Sequence, residues 1–167
     1  MAAVMEGPLA DLSSWKPRHC SIEKALEVVG TRSAMLILRE AYYGTTRFEG
    51  FSARVDVAEA AVATQLRKLT AAGIFEKVPY REPGRRTRHE YLLTDMGRDL
   101  LPVAVVLMQW GDKWLRAGPG PLRIADAAGR PVSIRVCGED GPLELEDVHI
   151  SVNAAWLANH AGMGEDS

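Results

Sequence analysis

The stretch AEAAVATQLRKLTAAGIFEKVPYREPGRRTRHEYLLT, residues 58–94, changes its period halfway along. Val62, Leu66 and Leu69 recur at i, i+4 and i+7, the spacing of an apolar stripe on a helix, which predicts a helix over residues 58–72. The opposite side of that helix presents Ala60, Ala63, Thr64, Arg67 and Lys68, and Gly73 is a natural stop. Residues 74–80 and 88–94 then read as two strands, and Pro83-Gly84 between them is a turn signal. The hairpin so formed has a basic tip. Lys77, Arg81, Arg85, Arg86 and Arg88 lie within twelve positions, and Glu82 is the one acid inside that span.

Working outward toward the N-terminus, Ser21 is placed to cap a helix over residues 22–29, with Leu26, Val29 and Ile22 as its apolar stripe and Gly30 as its stop. A second helix over 33–43 buries Met35, Leu36, Leu38 and Ala41, and a short one over 47–54 turns Phe48 and Phe51 inward. Toward the C-terminus, Thr94 caps a long helix reaching residue 116, with a kink expected at Pro102. Val103, Leu107, Trp110 and Trp114 mark one face of it. Gly118-Pro119-Gly120-Pro121 is a linker, followed by three β-rich pieces at 122–126, 131–136 and 143–152 and a helical stretch at 154–161. The fold class expected is mainly α with a small β-hairpin, plus a short β-rich C-terminal appendix. Three helices, a basic hairpin and a following long helix make the order of a winged helix-turn-helix. The organisation expected is a flexible arm at 1–14, a winged-helix domain at 15–117 and an acidic segment and tail at 118–167.

Composition sets the class. The 167 residues suffice for one domain with a core and a small appendix, and 47% hydrophobic against 25% charged residues is ordinary for a globular chain. No apolar run approaches the ~18 residues of a membrane span, and the first 15 residues lack the basic segment of a signal peptide, so a cytoplasmic location is expected. Two cysteines are too few for a secreted disulfide scaffold. The net charge is −2, but residues 15–116 carry 17 Lys and Arg against 12 Asp and Glu, whereas residues 117–167 carry 3 against 8. A basic body with an acidic tail is a charge asymmetry suited to a polyanion.

The pieces CSIEKALEVVGTRSAMLILREAYYGTTRFEGF (20–51), ATQLRKLTAAGIFEKVPY (63–80) and HEYLLTDMGRDLLPVAVVLMQWGDKW (89–114) resemble the HxlR family of bacterial regulators, in the family's order. The resemblance implies a winged-helix fold, a homodimer built through terminal helices, and DNA binding by two recognition helices. The chain departs from the family at Ala58-Glu59-Ala60-Ala61, where Ser, Lys and Thr are usual, and at Ser33-Ala34, where an aromatic is usual.

On that footing Thr64 and Gln65 are candidate readers of base edges, and Arg67 and Lys68 candidate phosphate contacts. The cations of the hairpin, Lys77, Arg81, Arg85, Arg86 and Arg88, are candidate contacts to backbone or minor groove. Val103, Leu107, Trp110 and Trp114 are the candidate dimer seam, because so small a domain has little core left to cover two tryptophans. Two recognition helices about 34 Å apart then read a pseudo-palindrome. Cys20 precedes a helix N-terminus, with Lys16, Arg18, His19 and Lys24 nearby, a setting that favours a thiolate. Several members of the resembled family use the equivalent cysteine as a redox or electrophile sensor. Cys137 has no Cys-x-x-Cys partner, so no structural zinc is expected.

No Gly-rich phosphate loop, nucleophile elbow or His-Glu-x-x-His occurs, so neither an enzyme nor a cofactor is expected. The expected function is a DNA-binding regulator, a repressor, controlled by a small-molecule effector or by oxidation of Cys20. The apolar second helix and the Trp-bearing last helix are placed to line an effector cavity or to serve as core. The competing reading is a winged-helix protein-interaction module with weak or no DNA binding, which the alanine-rich helix start and the acidic tail also fit.

Overall fold

The computed structural model describes residues 2–11, 13 and 20–160. Its elements in chain order are β1 (Val4–Met5), α1 (Ser21–Val29), α2 (Arg32–Tyr42), α3 (Phe48–Arg54), α4 (Glu59–Ala71), β2 (Phe75–Tyr80), β3 (Arg88–Leu93), α5 (Asp95–Arg98), α6 (Leu101–Trp114), β4 (Cys137–Gly138), β5 (Gly141–Pro142), β6 (His149–Ile150) and α7 (Ala154–His160). Among the described residues no helix is long and apolar enough to cross a membrane. The chain divides into a unit of residues 20–134 and a second unit drawn from residues 1–19 and 135–167.

The first unit is the winged helix-turn-helix. Its core forms where α2, α3, α4 and the start of β2 meet. Ala34, Ile37, Leu38, Phe51, Val62, Leu66 and Leu69 are wholly buried there, with Ile74 and Phe75 beside them. Phe51, Phe75 and Tyr91 pack edge to face at centroid distances of 6.1–6.4 Å. The apolar stripes of α2 and α4 therefore face each other, and that packing fixes the angle at which α4 is presented. Thr31 starts α2 by accepting the Ala34 N–H at 3.1 Å. Gly73, at φ +82°, ends α4 in a left-handed turn that L side chains disfavour.

Strands β2 and β3 pair antiparallel from Phe75↔Leu93 to Tyr80↔Arg88, leaving residues 81–87 as the tip. A third edge comes from the loop before α3. Arg47 bridges to Glu90, and the Tyr91 N–H donates to the Thr46 carbonyl at 2.7 Å. The Thr94 hydroxyl donates to the Gly73 carbonyl at 2.6 Å and accepts the Gly97 N–H at 3.2 Å, tying the base of the hairpin to α5. The approach is close: a Cβ on Gly97 would lie 2.4 Å from the Ile74 oxygen.

Four expectations about elements are corrected. The helix expected from Thr94 to residue 116 is two helices, α5 and α6, broken at Asp99-Leu100. Pro102 lacks an N–H and falls in the first turn of α6, where none is needed; a continuous helix would force its ring against the carbonyl four residues back. Ser21 is the first residue of α1 rather than its cap, because the Cys20 carbonyl already accepts the Lys24 N–H at 3.1 Å. Of the expected α1 stripe only Val29 is buried, while Ile22 and Leu26 are exposed. The three β-rich pieces reduce to an Ala125–Pro131 bridge and two-residue strands, since the prolines and glycines among them interrupt every ladder.

The expected boundary at 118 also moves. Residues 122–134 belong with the winged helix, where the Gln109 amide of α6 receives the Ile134 N–H at 3.1 Å and donates to the Val132 carbonyl at 3.4 Å. Asp126 closes the turn between them, accepting the Ala128 and Arg130 N–H groups at 2.9 Å each. These bonds, with the Arg130 guanidinium, hold its carboxyl below the usual carboxylate range.

In the second unit, β1 pairs in parallel with β6, Val4 to His149 and Met5 to Ile150, and Glu6 meets the His149 ring at 2.6 Å. Residues 4–6 of the segment expected as a flexible arm are thus joined to the C-terminal segment by backbone pairing. Strands β4 and β5 form a separate antiparallel pair.

Candidate nucleic-acid interface

Helices α3 and α4 are joined by a turn over residues 55–58, where the Arg32 guanidinium donates to the Asp56 carbonyl at 3.3 Å. Beneath the turn lies an ion network. Glu40, whose side chain is 3% exposed, receives Arg39 on one carboxylate oxygen at 2.6 Å and Arg54 on the other. Arg54 is the last residue of α3, so this network ties α2 to the start of the turn.

The outer face of α4 carries Ala60, Ala61, Ala63, Thr64, Arg67 and Lys68, all exposed. Arg67 donates to the Thr64 hydroxyl at 3.2 Å, holding the two side chains together one turn apart. Gln65 does not join them. It is 6% exposed, and its position between Val62 one turn earlier and Leu69 one turn later puts it on the core side. The expectation that Gln65 reads base edges is corrected on that ground.

The hairpin places its cations unequally. Lys77, Arg81, Arg85, Arg86 and Arg88 are all exposed, but three have hydrogen-bond or ion-pair partners. Arg88 pairs with Glu49 at 2.6 Å, Arg85 approaches Glu82 at 3.7 Å, and Arg81 donates to the Arg85 carbonyl at 3.2 Å. Lys77 sits over the Tyr91 ring at 5.9 Å. Arg86 has no ion pair among the described residues, so it is the freest arginine of the tip. The sequence shows Glu82 as the single acid among these cations; folding brings Glu49 to Arg88 from outside the span.

Arg47 is a residue of the hairpin's ion network that the sequence did not disclose. It lies over the Tyr80 ring at 4.3 Å and bridges Glu90 at 2.9 Å and Glu82 at 3.1 Å. The hydrogen bond that Arg47 donates to the Glu90 carboxylate raises its pKa further, so its charge is permanent. It shares one positive charge between the two acids and braces the hairpin against the α3 side. Its place before a short helix gave no signal of this, because both partners lie more than thirty positions away.

On α6, Val103, Leu107, Trp110 and Trp114 are all exposed, the two tryptophans at 53% and 63%. Leu101 and Val106 extend the apolar surface. Cys20 stands at the N-cap position of α1, partly exposed and free of any disulfide. The neighbours invoked for it at 16, 18 and 19 lie outside the described residues. Cys137 is exposed, and among the described residues no group of three or more His, Cys, Asp or Glu is placed to hold a metal ion.

Comparison with known proteins agrees with this geometry. The model of the HxlR-like helix-turn-helix family matches residues 28–119. An uncharacterized HTH-type transcriptional regulator of Mycobacterium tuberculosis, Rv3095, is 40% identical over 131 residues, spanning 77% of this chain and 76% of the relative. Another such regulator, YdeP of Bacillus subtilis, is 29% identical over 62% of this chain and 80% of its own. The crystal structure of PA1607, a candidate transcription factor, matches with a TM-score of 0.72 at 34% identity, over 81% of this chain and 96% of that one. The redox regulator HypR in its reduced form matches with a TM-score of 0.50 at 28% identity, over 55% and 90% of the two chains. By sequence and by fold, the chain belongs to the HxlR-like helix-turn-helix family of DNA-binding transcriptional regulators, a family of regulators and not of enzymes.

Proposed function

We propose that the chain acts as a homodimeric repressor that occupies a pseudo-palindromic operator. The observation that carries this reading is the exposed row Val103, Leu107, Trp110 and Trp114 on α6, in a unit that also presents Thr64, Arg67 and Lys68 on α4 and a cationic hairpin tip. Burying such a row against its copy removes aromatic surface from water and sets two α4 helices in fixed relation. Each α4 enters a major groove, Thr64 meets a base edge, and Arg67, Lys68 and Lys77 meet phosphates. Arg86, with Arg81 and Arg85 beside it, reaches the flanking backbone, while Arg88 is held mainly by Glu49.

Salt titration on a sequence selected from random DNA tests the reading. Affinity is expected to fall steeply as salt rises, through counterion release. Arg85→Ala with Arg86→Ala is expected to lower affinity for all sequences roughly tenfold and to reduce the salt slope by about two. A protein-interaction module, the reading favoured by Ala58-Glu59-Ala60-Ala61 at the start of α4, predicts weak binding with no selected sequence.

Control by oxidation of Cys20 is supported by its place at the start of α1 and by the likeness to HypR, a redox regulator. Peroxide is expected to change operator affinity at least tenfold in the parent chain and to leave Cys20→Ser unchanged, measured by band shift before and after thiol reduction.

A further inference from the structure

A cleft of about 320 Å3 lies between α2 and α6. Met35 and Leu36 form one wall, Leu101, Val105 and Met108 the other, and Ile124 from the segment held down by Gln109 covers one side. Its lining is apolar apart from Arg39, Tyr42 and Tyr43, and the Tyr42 hydroxyl is already spent on the Gly97 carbonyl at 2.8 Å. Arg39 is the one charged residue on the wall.

The charge balance at Arg39 is uneven. Arg39 and Arg54 share a single carboxylate, Glu40, and no second acid pairs with either among the described residues. One positive charge is therefore left over beside an apolar cleft, and 40% of the Arg39 side chain is still open to solvent. A guanidinium with free donors next to an apolar wall fits a flat molecule carrying one carboxylate. The volume stands at the small end of ligand sites, suited to a compound of roughly ten to fifteen non-hydrogen atoms.

We propose that this cleft binds a small aromatic carboxylate, whose anionic group takes the Arg39 guanidinium and whose ring fills the space between α2 and α6. Arg39 donates to Glu40 with two nitrogens, at 2.9 and 2.6 Å, and reaches the Arg54 carbonyl at 3.5 Å. An anion that draws Arg39 away leaves Glu40 to Arg54 alone, at the end of α3 and five positions before α4 begins. The ligand thus acts on the helix-turn-helix through one side chain that belongs to both. This output rests on the DNA-binding reading; the binding itself does not.

The test uses the full chain with 2-naphthoate as probe and 2-naphthamide as its neutral counterpart, by calorimetry. The expected result is one naphthoate per chain, at least tenfold weaker binding of the amide, and a comparable loss in Arg39→Gln. Ala104→Phe, which fills the cleft without touching the ion network, is expected to abolish naphthoate binding while thermal unfolding stays cooperative. Equal binding of acid and amide, or naphthoate binding that survives Ala104→Phe, overturns the proposal. So does failure of the parent chain to bind naphthoate, the result expected if side chains of a second copy occupy the cleft. Saturating naphthoate is further expected to change operator affinity at least tenfold. Naphthoate binding without any DNA binding would sink the repressor reading and leave the cleft assigned; DNA binding without naphthoate binding would do the reverse.

Discussion

Gln65 and Thr64 are neighbours in sequence with opposite fates. Both are polar, and a helical wheel alone leaves position 65 at the margin of the apolar stripe. Packing decides it, because Val62 and Leu69 bracket Gln65 one turn to either side and draw it to the core. Thr64→Ala is therefore expected to change base preference, with about 1 kcal/mol of discrimination lost at one position of each half-site. Gln65→Ala is expected to leave base preference unchanged and to lower stability by about 1–2 kcal/mol. Selection from random DNA and urea denaturation separate the two effects; a shifted sequence preference for Gln65→Ala would reverse the assignment. Arg47 gives the complementary case at this scale. It carries no special sequence context, yet it holds Glu82 and Glu90 together and leaves Arg86 free to act.

At the scale of elements, α2 is the hub. It packs its apolar side on α4, sends Glu40 to the end of α3, and sends the Tyr42 hydroxyl to the Gly97 carbonyl of α5. Burial pushes the Tyr42 phenol up to about 12 from an ordinary value of 10. The sign follows from the raised folded value. The contribution of the neutral phenol is complete below pH 10 and drains away between pH 10 and about 12, where the unfolded chain ionises and the folded one resists. Urea midpoints are expected to fall across that window, and Tyr42→Phe is expected to flatten this part of the decline. An equal decline in the variant would show that Tyr42 is not the group responsible. The split of the last helix also belongs here: Pro102 is visible in the sequence, but whether it kinks or breaks a helix depends on what the residues before it pack against. Thr94 and Gly97 had already committed α5 to the base of the hairpin, so the break fell between them and Pro102.

At the scale of the whole molecule, the proposed dimer places the exposed tryptophans of α6 against a second copy. Trp110→Glu with Trp114→Glu is expected to give a monomer by analytical ultracentrifugation. Such a monomer is expected to lose at least 100-fold in affinity for a two-half-site operator and little for a single half-site. A variant that stays dimeric would move the seam away from this face. Ile22 and Leu26 of α1, expected in the core and found exposed, are apolar surface of the same unit.

Read alone, the sequence disclosed the elements from α1 to β3 and their order: periods of 3.6 and 2 residues, the Gly73 stop, the Pro83-Gly84 turn and the cluster of cations at the tip all act within a few residues of one another. For the same reason it disclosed Thr64, Arg67, Lys68 and the tip arginines as exposed. The tertiary structure decided everything that depends on distant partners. Glu49 reaches Arg88 across 39 positions, Arg47 reaches Glu90 across 43, and Val4 pairs with His149 from the other end of the chain. Local pattern is enforced by backbone geometry, which any short window reveals; charge pairing and strand pairing in the folded state are set by proximity in space, which only packing creates.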